Sequence, residues 1–327
     1  MNKIIGIGNA LVDVLVRLDD DRTLEMFHLP KGSMQLLDED RYHQIRQFFT
    51  TRESRMTTGG SACNTMLALA NLGEHPGIIG RVGNDAQGEF FRRNSLEHGI
   101  DARLGSSNLP TGVASTFISP DGQRTFGTYL GAAGTMSADE LTPETLKGYT
   151  YLYIEGYLVQ DHDLMTRACR LAKDAGMTVC YDLASYNIVE ADRDFITRIV
   201  DEYADIVFAN EDEARAFTLR DGQEALDELA RHCRVAVMKV GPRGAFIKRG
   251  DEQTHVPAKD VKVTDTNAAG DYFAAGFLYG YMRGCTLNTC GRIGSELSGA
   301  IIQVVGTALP AEVWDEIKLN IKAILSE

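Results

Sequence analysis

Residues 265–282 read Asp265-Thr266-Asn267-Ala268-Ala269-Gly270-Asp271, followed by YFAAGFLYGYM. A run of small residues opens a long apolar helical stretch. The first turn of a helix leaves backbone N–H groups without partners, and the helix dipole makes that end attractive to an anion. Small side chains let a phosphate reach the backbone. Asp271 falls in the first turn, beside the place the anion would take. A carboxylate there repels phosphate, so it is no phosphate ligand. It is placed to take a proton from a hydroxyl that attacks the phosphate. The plainer alternative is an acidic residue that complements the dipole.

Outward from this segment the chain has a steady rhythm. Strand-like runs at 151–155, 177–182, 205–208 and 235–240 are followed by helical spacing at 162–175, 190–203, 210–217 and 222–232. A further strand is expected at 245–249, and helices at 269–283, 287–304 and 310–325 close the chain. Alternating β and α units predict an α/β fold with a mostly parallel central sheet between helices. Toward the N-terminus, 3–8 is a buried strand and 38–49 and 61–72 have helical spacing. The runs 12–18, 113–118 and 124–130 alternate like half-exposed antiparallel strands, and Pro120-Asp121-Gly122 between the last two signals a hairpin. With 33–37 they are assigned to a small β appendage. The whole chain, 1–327, is read as one domain.

Four further motifs carry chemical possibilities. Gly59-Gly60-Ser61-Ala62-Cys63-Asn64 pairs two glycines with a helix start. Paired glycines let backbone lie against a ligand, and Asn64 both donates to and accepts from vicinal hydroxyls; a loop with a Ser61 cap is the alternative. Asp13 lies within an apolar strand, in Gly8-Asn9-Ala10-Leu11-Val12-Asp13, where a carboxylate needs donors from a ligand or from a backbone turn. Asn210-Glu211-Asp212-Glu213 follows a strand. It offers two oxygen ligands on one helical face, suited to Mg²⁺ held through water, or else a solvated helix start. Gly241 and Gly244 flank Pro242-Arg243 in a turn that passes a nucleotide or forms a plain hairpin.

Composition narrows the classes. Charged residues are 24% and hydrophobic residues 44%, values of an ordinary globular chain. Net charge is −13, which disfavours nucleic acid. The N-terminal run is too short to span a membrane and lacks a cleavage site, so a cytoplasmic protein without membrane contact is expected. The six cysteines form no C-x-x-C pair and read as buried or idle thiols. Gly6-Ile7-Gly8 lacks the third glycine of a dinucleotide fingerprint, because position 11 is Leu. There is no P-loop motif, and the seven histidines make no metal-binding pattern.

Taken in order, these motifs resemble the ribokinase-like (PfkB) family of sugar and nucleoside kinases, with Gly8-Asn9, Asp13 and GGSACNT most similar to its adenosine-kinase branch. The resemblance implies a ribokinase-like fold with a small β-sheet lid, formed by segments near 10–18, 30–37 and 110–131. It implies phosphoryl transfer from ATP with Mg²⁺ to a primary hydroxyl of a sugar or ribonucleoside. An adenosine-specific kinase, or a non-catalytic binding protein on the same fold, is the alternative. Asp271 then resembles the catalytic base, and Ala268, Ala269 and Gly270 the anion hole. Asp13, Gly59, Gly60 and Asn64, with Asn9 beside them, resemble acceptor contacts. Asn210 and Glu213 resemble the pair that organises Mg²⁺ and phosphate; Gly241 and Gly244 resemble the nucleotide loop. Some members bind a monovalent cation such as K⁺ through an Asp placed like Asp265. Arg124 is expected at the lid surface, with a swing toward the phosphates as the alternative. Phe117, Phe126 and Tyr129 are candidates for stacking on a base. A monomer or homodimer is expected.

Overall fold

The computed structural model describes residues 2–121 and 123–327. Its main body is a nine-stranded sheet. Strands Asp101–Ser107, Gly77–Gly83, Ile4–Ile7, Tyr151–Glu155, Thr178–Asp182, Ile206–Asn210 and Val235–Lys239 lie side by side in that order, all parallel. Ala245–Arg249 and Glu252–Val256 complete it as antiparallel neighbours. The central strands are buried on both faces, which is why they read as unbroken apolar runs. One core lies under each face of the sheet.

The helix Ala269–Tyr281 is apolar nearly all round and is buried between the sheet and the helix Leu287–Ile301. Gly276 makes that approach possible: a Cβ there would press on the Ile293 carbonyl and Gly294. Aspartates cap several helices. Asp38, Asp85 and Asp161 each accept the N–H three residues on, satisfying a donor the helix leaves free.

The lid is a separate five-stranded sheet in the order Met34–Leu36, Arg124–Tyr129, Gly112–Ile118, Leu11–Arg17, Arg55–Gly59. The strand Arg55–Gly59 was not foreseen. The lid is also not simply antiparallel: Leu11–Arg17 pairs parallel with Gly112–Ile118, and Met34–Leu36 parallel with Arg124–Tyr129. Nor is it half-exposed, since Gly112–Ile118 is buried throughout. The reason is that both faces are covered. One face packs on the helix Glu39–Thr50, through Val16, Phe117, Tyr42, Ile45, Phe49 and Tyr129. The other face looks into the cleft against the main body. Gly112–Ile118 and Arg124–Tyr129 pair antiparallel on either side of the expected hairpin; Gly122 of its turn lies outside the described residues.

Candidate active site

Four adjacent parallel strands of the main body end in polar residues: Glu155, Asp182, Asn210 and Lys239. All four line one cavity of about 480 Å³ at the carboxyl ends of the strands, the place where open α/β sheets bind ligands. The lid closes the opposite side with Leu11, Asp13, Met34, Leu36, Phe126 and Leu130. A second cavity, of about 450 Å³, runs along Gly241, Gly244, Lys259, Val261, Val263 and Ser298. The two cavities share Thr266, Ala269, Gly270, Lys239 and Gly241. Asp271 faces only the first.

At the start of the helix Ala269–Tyr281, Ala268 takes a left-handed conformation, φ 58°. Its N–H is bonded to Asn267 Oδ1, and the Ala269 N–H to the Thr266 carbonyl. Among the described residues, the N–H groups of Gly270 and Asp271 find no acceptor. Of the expected trio Ala268, Ala269 and Gly270, only Gly270 keeps a free N–H, and Asp271 supplies a second. Gly270 also keeps the way open, since a Cβ there would stand 3.0 Å from Lys239 Nζ.

Asp271 is held by two donors, Ser61 Oγ at 2.7 Å and Asn64 Nδ2 at 2.9 Å. Burial pushes its carboxyl up to about 6, against the pull of these two hydrogen bonds. Asn64 is thus committed to Asp271 through its amide nitrogen. Its Oδ1 is buried without a partner, which leaves an acceptor for a ligand hydroxyl. Ser61, foreseen only as a cap, donates to Asp271.

Asp13 is 6% exposed and accepts no hydrogen bond from any described residue. Burial, then the Asp271 charge, pushes it up to about 7, while Arg124 works the other way. Asn9 lines the cavity with its amide nitrogen and backbone N–H tied to Glu155 Oε1. Glu155 also accepts the Ala62 N–H, so one buried carboxylate fixes both the Asn9 loop and the helix after Gly60. Burial raises Glu155 to about 7 despite these three bonds. The glycine pair serves packing more than a ligand. A Cβ on Gly59 would collide with the Asp13 carboxylate, and one on Gly60, at φ 93°, with the Asn9 carbonyl. Gly60 lines the cavity and Gly59 does not.

Asn210 and Glu213 form a reciprocal capping box, with Asn210 Nδ2 donating to Glu213 Oε1 at 2.7 Å and the Glu213 N–H to Asn210 Oδ1 at 2.9 Å. Glu213 is buried, not solvated, and burial raises it to about 7. Lys239 was missed by the sequence reading. Its Nζ lies 3.3 Å from Asp182 Oδ2. Burial works against its charge, but Asp182, Glu213 and Asp271 prevail and hold the ammonium above its usual range. Gly241 lines both cavities; Gly244, at φ 93°, lines the second and abuts the Val256 carbonyl.

Several expectations need correction. Arg124 is no surface residue: its side chain is 9% exposed and paired with Asp265, itself 1% exposed. Asp265 also accepts the N–H of Asn267 and of Gly306. Phe117 is in the lid core against Phe49, and Tyr129 stacks on Tyr42 at 4.5 Å, so neither reaches a ligand. Phe126 does line the cavity. None of the six cysteines is in a disulfide. Among the described residues no cluster of three metal-binding side chains occurs, and no helix is long and apolar enough to cross a membrane.

Residues 47–314 match the model of the pfkB family carbohydrate kinases, and the chain belongs to that family. It is therefore a phosphotransferase that acts on an alcohol. A probable sugar kinase from Rhizobium etli is 30% identical and superimposes with a TM-score of 0.89, covering 98% of each chain. An adenosine kinase from Sinorhizobium meliloti is also 30% identical, with a TM-score of 0.88 over 98% of this chain and 99% of that one. An adenosine kinase from Schizophyllum commune is 27% identical over 97% of this chain and 98% of its own.

Proposed function

We propose that this chain transfers the γ-phosphoryl group of ATP to the primary hydroxyl of a ribonucleoside. The observation that carries the reading is the shared rim of the two cavities. Gly270 lies on both, while Asp271 faces only the one beneath the lid. A donor in one cavity and an acceptor in the other would meet at the free N–H groups of Gly270 and Asp271. The acceptor oxygen attacks the γ-phosphorus, the bond to the bridging oxygen breaks, and Asp271 takes the hydroxyl proton. The N–H pair and the Lys239 ammonium face the charge on the transferred group. Asp13 and Asn64 Oδ1, both short of donors, orient the acceptor's other hydroxyls. Asn210 and Glu213 are oxygen donors of the kind that hold Mg²⁺ through water, and both line the cavity. Bound there, Mg²⁺ would neutralise phosphate charge. Closure of the lid excludes water from the transfer.

The lid wall favours a nucleoside over a free sugar. Leu11, Met34, Leu36, Phe126 and Leu130 make an apolar surface facing the cleft, suited to a planar base. The adenosine kinases among the similar proteins point the same way. Coupled ADP release, measured with nucleosides, pentoses, hexoses and hexose phosphates, tests both levels. Nucleosides are expected to give the highest kcat/KM. A preference for a hexose would overturn the acceptor, and no ADP release with any alcohol would overturn the kinase reading.

A further inference from the structure

Arg124 opens the lid strand Arg124–Tyr129 on the cleft face, the face that also carries Phe126 and Thr128. It reaches across to Asp265 in the main body, on the loop that leads into the helix start. Asp265 Oδ1 accepts the Asn267 N–H at 3.0 Å, and Oδ2 accepts the Gly306 N–H at 2.8 Å as well as the guanidinium. The nearby Ile302 carbonyl accepts two N–H groups, from Thr264 at 2.7 Å and Asp265 at 3.1 Å, so both its lone pairs are used. A monovalent cation held by Asp265 would have to share its carboxylate with the Arg124 guanidinium. Three partners already occupy the Asp265 carboxylate, and one of them carries a fixed positive charge.

From the guanidinium a line of contacts runs to the anion hole. Arg124 holds Asp265, Asp265 holds the Asn267 N–H, and Asn267 Oδ1 holds the Ala268 N–H at 3.1 Å. Ala268 then keeps the left-handed turn that sets the Gly270 and Asp271 N–H groups free.

We infer that Arg124 is the built-in cation of this site: the lid's own guanidinium stands where a diffusible monovalent cation would, and its docking on Asp265 ties lid closure to the shape of the anion hole. Arg124 is a positioning residue here, acting through Asp265. The inference rests on the kinase reading for its effect on rate, but not for its effect on ion binding.

The test compares the protein in potassium, sodium and choline chloride at equal ionic strength. Wild-type rate and melting temperature are expected to be the same in all three. Arg124→Ala should lose roughly tenfold or more of kcat in choline chloride, the usual size of a coupling between sites, with a smaller change in the KM for acceptor. Potassium or added guanidinium should restore part of that rate and raise the melting temperature of the variant, with no such rise in the wild type. Arg124→Lys should stay independent of added cation. If Arg124→Ala does not fold, Arg124→Lys and the wild type still decide the matter through their salt dependence. A wild-type protein stimulated several-fold by potassium over choline would overturn the inference, as would full activity of Arg124→Ala in choline chloride. Should the wild type phosphorylate nothing, the kinase reading fails, and the melting temperatures still judge the cation.

Discussion

The main sheet and the lid sheet solve opposite problems. Strands of the main sheet bury apolar side chains on both faces and bring their chemistry to their last residues, Glu155, Asp182, Asn210 and Lys239. The lid strands carry theirs within their first three residues, on alternate residues of one face: Leu11 and Asp13, then Arg124 and Phe126. The main body thus presents a rim of charge, and the small sheet a wall on which Arg124 meets that rim and Asp13 meets no donor. Buried carboxylates in the rim have partners. Asp13 in the lid has none.

The largest expected effect breaks the rim. Asp271→Asn keeps the bond from Ser61 and the fold but cannot take a proton. Turnover should fall by roughly 10²–10⁴-fold, the range for a general base, while nucleotide affinity stays near wild type. Single-turnover kinetics and nucleotide titration on the variant check both halves. Wild-type turnover would remove Asp271 from the chemistry.

Breaking the lid should have a different signature. Asp13→Ala removes a carboxylate that holds no protein donor, so nothing inside the protein loses a partner. Loss of two charge-assisted bonds to an acceptor should cost about 2–4 kcal/mol in acceptor kcat/KM. The melting temperature without ligand should hold or rise, because an under-satisfied buried charge is gone. If stability falls and acceptor kinetics survive, Asp13 is a structural residue, and the contrast between lid and rim disappears.

Much of the main sheet was legible because two-sided burial leaves continuous apolar runs, such as YLYIE at 151–155 and VAVMK at 235–239. The sequence put Asp271 in the first turn of the helix that opens at Ala269, and there it lies, on the wall of the cavity. The strand Arg55–Gly59 was hidden, since it is a five-residue edge strand whose first two residues are exposed and whose last is glycine. Glu155, Asp182 and Lys239 each close an apolar strand, and a polar last residue looks like the start of any loop. Their shared position emerges only when four strands are laid side by side. Arg124 was misplaced because the alternation gives its face but not what lies opposite that face. The partner, Asp265, is 141 residues away, the difference between the two positions.

Acidity sharpens the contrast at a smaller scale. Asp13, Glu155 and Glu213 are raised to about 7 and Asp271 to about 6, all by burial first. In the unfolded chain such carboxyls titrate near 4. The folded protein therefore holds protons that the unfolded chain has released, and the stability these groups contribute is full below about pH 4 and is lost as pH rises through about 6–7. The role proposed for Asp271 needs the opposite state, an ionised carboxylate. Acceptor kcat/KM should climb through pH 6–7 while the ligand-free melting temperature carries a falling contribution over the same window. Replacing Asp13 by Asn removes one titrating group, so the fall in stability should become shallower. An unchanged pH slope in that variant would mean that Asp13 is ionised throughout.

The smallest effect is expected at Ala268, where the backbone itself is the device. Its φ of 58° lies in the left-handed region, which costs an alanine about 1 kcal/mol relative to glycine. Two bonds and a packed neighbourhood hold it there: Asn267 Oδ1 on its N–H, and the Tyr272 N–H on its carbonyl at 2.9 Å. Ala268→Gly removes the steric penalty but gives the unfolded chain more freedom, worth about 0.4–1 kcal/mol in the other direction. The two terms nearly cancel, so the melting temperature should move little and turnover should stay within a few-fold. A large loss of turnover with an unchanged melting temperature would show that the alanine, by restricting this turn, helps keep the Gly270 and Asp271 donors aimed. In that case the rigidity of the rim would come from this strained residue as well as from the sheet beneath it.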